Sequence, residues 1–214
     1  MIRAIVSDFG GVLTTPLAGS FQIFADRSGV DLETIGQALA ALHERDGVHP
    51  LHELECGRIT ESTFVESLRA SLSELLAREV DLAALAETLW EGLYPNEAMI
   101  AFMASLRAER YRMALLTNNV REWELRWRTL APIDDIFELV IDSAFVGVRK
   151  PDPEIYELTV SGLGVAAAEC LFVDDIEVNC VAARAAGMAS VVFRDTDQAI
   201  AEMRALLAAD GLVV

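Results

Sequence analysis

Five side chains stand at or just past the ends of apolar runs, and together they form a reactive set. Asp8 closes the run in "IVSDFGGVLT". Thr117 closes "MALLT" and is followed by Asn118 and Asn119. Lys150 lies in "VGVRKPDPEIY". Asp174 and Asp175 follow "CLFV", with Asn179 one helical turn beyond Asp175. A carboxylate is both a nucleophile and a ligand for a hard cation. A lysine places positive charge beside a reacting anion. A threonine hydroxyl and the amides after it can donate to anionic oxygens. Each fragment also has an ordinary structural use. "SDFGG" is a glycine turn and "TNN" is turn chemistry. "KPDPE" starts a helix, with Asp152 at the N-cap and Pro153 at the first helical position. The chemistry therefore depends on these residues meeting in one place.

The surrounding elements bring them there. Residues 2–7, 111–117, 169–174 and 188–193 are short, continuously apolar and rich in Val, Ile or Leu, as strands covered on both faces must be, and 136–142 reads as a fifth. Helical patterns over 97–110, 120–131, 153–162, 177–186 and 195–209 separate them. This alternation predicts a doubly wound α/β parallel sheet, in which ligands bind outside the carboxyl ends of the strands. The reactive residues all fall at those ends. The interval 16–95 breaks the rhythm: it has helical spacing and no convincing strand. It reads as an all-helical subdomain inserted into a core made of 1–15 and 96–214, with Pro16 and Tyr94-Pro95 as hinges.

A chain of 214 residues can build one substantial core plus such an insert. Its net charge of −17 repels nucleic acid and anionic membrane, so neither is an expected partner. An anionic substrate must then be held locally, by a metal or a few placed cations. The cysteines are Cys56, Cys170 and Cys180, an odd set without zinc-site spacing. They read as reduced thiols in a cytoplasmic protein. The N-terminal apolar run is too short for a signal peptide, and no segment has the roughly 20 apolar residues of a membrane span. A monomer or homodimer is expected.

The fragments "VSDFGGVLT", "LLTNN", "VRKPDP" and "FVDDIEVN", in that order, resemble the four motifs of the haloacid dehalogenase-like hydrolase superfamily. The resemblance covers essentially the whole chain, including a helical cap between the first and second motifs. The stretch "LHELECGRITESTF" further resembles the subgroup of glucose-1-phosphate phosphatases and the N-terminal domain of soluble epoxide hydrolase. The resemblance implies a Mg²⁺-dependent phosphatase that hydrolyses a small phosphorylated metabolite, such as a sugar phosphate, through an aspartyl-phosphate on Asp8. It implies Asp8, Asp174 and the Gly10 carbonyl as metal ligands, with Asp175 binding the metal directly or through water. Lys150 and Thr117 would be catalytic. Thr117, Asn118, Asn119 and Lys150 would hold phosphate. Asn179 would orient Lys150 or the metal's surroundings. Two unit charges ~4 Å apart repel by ~4 kcal/mol at an effective dielectric of ~20. A cation and Lys150 must offset that repulsion when a carboxylate attacks a phosphate ester.

Gly10 departs from the pattern. Most phosphatases of this superfamily carry a second aspartate there, which protonates the leaving group and then activates water. Its loss puts general acid–base catalysis in doubt. Either the substrate has a good leaving group, or the cap supplies another acid, or catalysis is weakened. The glucose-1-phosphate phosphatases also lack that aspartate, which favours the first answer. His43, His49 and His52 fall within ten residues of the cap and suit the second. Trp123 and Trp127 stand one helical turn apart and read as core or domain-edge packing, with substrate stacking as the alternative. Two other functions compete. A 2-haloacid dehalogenase also lacks the second aspartate, but it does not keep the phosphatase-type acidic pair that "VDDIEVN" retains. A non-catalytic binding or regulatory protein would not need to keep Asp8, Lys150 and Asp174.

Overall fold

The computed structural model describes residues 1–82 and 85–211. Five strands, β1 (Ala4–Ser7), β2 (Arg112–Thr117), β3 (Leu139–Asp142), β4 (Cys170–Asp174) and β5 (Ala189–Val192), form one sheet in the order β3-β2-β1-β4-β5. Every pairing is parallel. Side chains alternate between the two faces, as strand geometry requires. Ile5, Met113, Leu115, Leu171 and Val173 pack on one side with Met99, Phe102 and Met103 of α6 (Glu97–Ala108) and Met203 of α12 (Thr196–Gly211). Ala4, Val6, Ala114, Leu116 and Phe172 pack on the other with Tyr156 of α10 (Pro153–Leu163) and Cys180 of α11 (Glu177–Ala185). Both faces are covered, which explains why the strands read as unbroken apolar runs.

The interval between β1 and α6 contains α1 (Leu17–Ser28), α2 (Leu32–Asp46), α3 (Pro50–Glu55), α4 (Glu61–Leu76) and α5 (Leu85–Glu91), and no strand among its described residues. These helices bury a cluster of their own, including Phe24, Ile35, Leu54, Phe64 and Leu72. Their apolar residues recur at helical spacing, so each helix has one face to bury and must find partners. The two connections to the sheet run side by side. Thr14 and Pro95 form an antiparallel bridge, Thr15 N–H donates to Tyr94 O at 2.8 Å, and Asn96 N–H donates to Leu13 O at 2.8 Å. The expected hinges are thus tied to each other.

Two expectations are corrected. The helix predicted over 120–131 is three short pieces: a 3₁₀ turn at Arg121–Trp123, α7 (Glu124–Trp127) and a second 3₁₀ turn at Arg128–Leu130. Ala131 is extended, as a residue before proline tends to be, and ends the run ahead of Pro132. The predicted strand over 136–142 begins only at Leu139, because Ile133 and Ile136 occupy a short helix, α8 (Ile133–Ile136), and both are buried. An apolar pair three residues apart fits a helix turn as well as a strand, so the run itself was ambiguous. Asp152 is at the N-cap position of α10, but its side chain makes no capping bond.

Trp127 is 1% exposed and its ring centroid lies 5.0 Å from that of Phe9, the residue after Asp8. Trp127→Ala should cost about 3–5 kcal/mol of stability through the cavity it leaves. Urea denaturation followed by circular dichroism measures this, and a loss below about 1 kcal/mol would contradict the packing.

Candidate active site

The site lies at the carboxyl ends of β1, β2 and β4. Asp8 extends β1 by one residue: its N–H donates to Val173 O at 2.9 Å, which aims the carboxylate past the sheet. Lys150 arrives from the loop after α9 (Ser143–Val146). Asn118, just after β2, fixes that loop by a reciprocal pair of bonds. Lys150 N–H donates to Asn118 Oδ1 at 2.8 Å, and Asn118 Nδ2 donates to Lys150 O at 2.9 Å. Lys150 is only 1% exposed. Its Nζ donates to Asp8 Oδ1 at 2.7 Å, Asp174 Oδ2 at 2.7 Å and Leu116 O at 2.9 Å. All three ammonium protons are therefore used.

Asp174 is fully buried and held from several directions. Ile176 N–H donates to Oδ1 at 2.8 Å, and Asn179 Nδ2 reaches Oδ1 at 3.0 Å and Oδ2 at 3.1 Å. The Tyr156 hydroxyl donates to Asn179 O at 2.9 Å. Asn179 therefore orients Asp174 rather than Lys150. Asp175 is half-buried and lies against Gly11. A Cβ on Gly11 would come within 2.2 Å of the Asp175 Oδ2, and Gly11 has φ +78°, so this position requires glycine. Gly10 is different. Its φ is not positive, and a Cβ there would meet no atom within 4 Å. Packing does not demand glycine at position 10.

The residues expected to hold phosphate are placed unequally. Thr117 is 2% exposed and lines the same cavity as Asn118, Asn119 and Gly10. The Asn118 carboxamide is committed to Lys150, as above. The Asn119 main-chain N–H donates to Ser143 Oγ at 3.1 Å, and its Oδ1 accepts from Val120 N–H at 2.9 Å. The Asn119 backbone amide is thus spent within the protein.

Asp8, Asp174 and Asp175 can each offer an oxygen within 4.8 Å of the others. Three carboxylates against one ammonium leave two negative charges uncompensated. Burial raises the Asp8 pKa to about 7, with Asp174 and Asp175 adding to the rise and Lys150 opposing it. Asp175 is raised too, by burial first and then by the charge of Asp174. Burial alone would lower Lys150, but Asp8 and Asp174 outweigh it and raise its pKa. An all-oxygen donor set with this excess charge fits Mg²⁺.

Above the site, core and cap enclose a cavity of about 190 Å³. Its floor is Gly10 and Thr117–Asn119. Its walls are mostly apolar, with Phe24, Ile35, Leu54, Phe64, Trp90 and Trp123 among them. Two carboxylates break that lining, Glu55 and Glu61. Glu61 Oε1 accepts from Trp123 Nε1 at 2.9 Å. The cap histidines do not reach this space. His43, His49 and His52 line a separate depression with Arg149, Pro151 and Asp152, where the His49 and His52 rings stack at 4.4 Å. Sequence reasoning singled out neither Glu55 nor Tyr156. Glu55 lies within a family-like stretch, which was the only available signal, and nothing in the sequence marks Tyr156.

The protein is of the doubly wound α/β class, with carboxylates gathered at the carboxyl edge of its parallel sheet beneath inserted helices. The haloacid dehalogenase-like hydrolase family model matches residues 2–187, and the chain belongs to that family. Over 217 residues it is 26% identical to the bifunctional epoxide hydrolase 2 of Rattus norvegicus, covering 94% of this chain but only 38% of that protein. Over 164 residues it is 34% identical to a phosphoserine phosphatase of Thermus thermophilus, covering 74% and 65% of the two chains. The structure of the L-2-haloacid dehalogenase of Xanthobacter autotrophicus superposes with a TM-score of 0.65 at 26% identity, covering 97% and 83%. No described helix is long and apolar enough to cross a membrane.

Lys150→Met keeps much of the side-chain volume but leaves Asp8 and Asp174 without their buried cation. It should cost about 3–5 kcal/mol of stability, the usual penalty for breaking a buried ion pair. Urea unfolding in the presence of chelator measures it, and an unchanged midpoint would contradict the assigned bonds.

Proposed function

We propose that this hydrolase is a Mg²⁺-dependent phosphatase acting on a small phosphate monoester through an aspartyl-phosphate on Asp8. The observation that carries this reading is the excess of carboxylate over cation at Asp8, Asp174 and Asp175 beside a fully engaged Lys150. A carboxylate that displaces halide from the carbon of a 2-haloacid has no phosphoryl charge to offset and so no use for a third acidic group. A carboxylate attacking a phosphate needs a dication, and this cluster is built to hold one. Asp8, Asp174, Asp175 and the Gly10 carbonyl would be its ligands. Mg²⁺ bound there supplies the positive charge that offsets repulsion between Asp8 and the phosphoryl oxygens.

The protein's own groups do the rest. Lys150 holds the Asp8 carboxylate in place by its 2.7 Å bond and adds a second positive charge at the site. Thr117 Oγ1 and Asn119 Nδ2 donate to the phosphoryl group. Asn118 acts indirectly, by fixing Lys150. Asp8 Oδ attacks phosphorus, the bond to the leaving oxygen breaks, and water then releases phosphate. The apolar cavity receives the organic part of the substrate, so that part is largely apolar rather than a sugar. A cavity of ~150 Å³ accepts benzene, so one of this size takes roughly a single ring or a short chain. The name of the phosphoserine phosphatase relative supports phosphoryl chemistry. That of the dehalogenase neighbour supports the second reading, carbon attack on a 2-haloacid without metal, which the acidic cluster disfavours.

Asp8→Asn keeps an acceptor for Lys150 but removes the nucleophile. Phosphate release from p-nitrophenyl phosphate should become undetectable while circular dichroism is unchanged. Residual activity within tenfold of the parent, a barrier change of only ~1.4 kcal/mol, would rule Asp8 out. Mg²⁺ binding by calorimetry should be lost in Asp174→Ala. Chloride release from 2-chloropropionate in chelator would favour the dehalogenase instead.

A further inference from the structure

We propose that Glu55 of the cap is the general acid and base of the phosphoryl transfer, in the role left open by Gly10. The inference rests on the phosphatase reading of the site.

Glu55 is the last residue of α3, and its position is set by contacts between cap and core. Its Oε2 accepts from Arg149 Nε at 2.6 Å. Two residues on, Gly57 has φ +64°, and a Cβ there would lie 2.2 Å from Ala144 O, so the cap loop touches the α9 backbone directly. Arg58 Nη2 then donates to Gly147 O at 3.1 Å. These contacts pin Glu55–Arg58 to the loop that also carries Lys150. The Glu55 side chain is 16% exposed, and it borders the same cavity as Gly10, Thr117 and Asn118. Arg149 engages one carboxylate oxygen. Among the described residues no hydrogen bond ties Oε1, which leaves it for the leaving group.

Burial pushes the Glu55 pKa upward, with Arg149 and then Lys150 opposing it. A carboxyl shifted in that direction is better able to hold a proton near neutral pH. The other carboxylate of the cavity, Glu61, accepts from Trp123 Nε1 through its Oε1 and sits at the start of α4. The histidines line a different depression. Of the two cavity carboxylates, Glu55 is the one tied through Arg149 to the loop that carries Lys150, and that places it to transfer a proton.

The step balances as follows. Asp8 Oδ bonds to phosphorus as the bond from phosphorus to the leaving oxygen breaks. The electron pair goes to that oxygen, which takes the proton from Glu55 Oε1. The Glu55 carboxylate then takes a proton from water as the water oxygen bonds to phosphorus. The bond from phosphorus to Asp8 breaks, and inorganic phosphate leaves. Glu55 is protonated again and Asp8 is free.

The test is a leaving-group series of phosphate monoesters, from aryl to alkyl, assayed with Mg²⁺ on the parent, Glu55→Gln, Arg149→Met and Glu55→Gln/Gly10→Asp. Glutamine still accepts from Arg149, so the cap contact survives. The parent should depend only weakly on leaving-group pKa. Glu55→Gln should lose about 10²–10⁴-fold on alkyl esters and under about tenfold on p-nitrophenyl phosphate. Arg149→Met breaks the ion pair but keeps the acid, so its dependence should stay shallow. The added aspartate of the double variant has open space at position 10 and should restore much of the alkyl-ester rate. Equal losses on all esters in Glu55→Gln, or the same steepening in Arg149→Met, would reduce Glu55 to a structural contact and overturn the proposal. A parent that releases phosphate from no ester, even p-nitrophenyl phosphate, would overturn the phosphatase reading itself.

Discussion

The ammonium of Lys150 is the charge around which the other elements are arranged. Burying an ion costs several kcal/mol unless it is fully paired, and this one is nearly inaccessible. It is paired by contributions from three strands: Asp8 beyond β1, Leu116 O in β2 and Asp174 at the end of β4. The parallel order β2-β1-β4 brings those three groups to one edge. The Asn118 carboxamide fixes the lysine's backbone, and Asn179 fixes Asp174 from α11. Tyr156 anchors Asn179 in turn. Asp174 is held on both carboxylate oxygens and the Asp8 backbone is tied to β4, so the two carboxylates stay against the ammonium. That rigidity makes the cluster a place for a dication.

Burial that would be costly in a core is useful here. Three carboxyl groups face one ammonium, and desolvation, with their mutual repulsion, raises the pKa of Asp8 and Asp175. The same low dielectric strengthens any interaction with a bound cation or phosphoryl group. The cap completes the enclosure. Its helices could not bury their apolar faces alone, and they do so partly against the core, at Val120 and Trp123. The cavity between the two layers is consequently apolar over most of its walls and polar where strand ends, Glu55 and Glu61 enter.

The two glycines after Asp8 show how differently one residue type can be constrained. Gly11 has positive φ and lies too close to Asp175 for any side chain. Gly10 has neither restriction. The missing aspartate is therefore a chemical feature of this chain, since the backbone does not impose it. It shifts the question of proton transfer from the core to the cap.

Local patterns in the sequence determined most of the fold. Strands buried on both faces must be continuously apolar, so all five were legible, and helical spacing marked the insert because each helix has one face to bury. The ends of β1, β2 and β4 carried Asp8, Thr117, Asp174 and Asp175, Lys150 followed β3 by way of a short helix, and the rule that ligands bind at carboxyl edges brought them together. The breaks near 120–136 were not legible, because Trp127 turns in to pack on Phe9 and Ile133 and Ile136 fit a helix turn as well as a strand. Only the tertiary structure separated the roles of Asn118, Asn119 and Asn179, since hydrogen-bond partners that lie 23–32 residues away leave no periodic trace. The same holds for Glu55. Its partner Arg149 is 94 residues away, and nothing local distinguishes it from the other acidic residues of the cap. Its place beside Gly10 exists only once the cap loop has settled on the core.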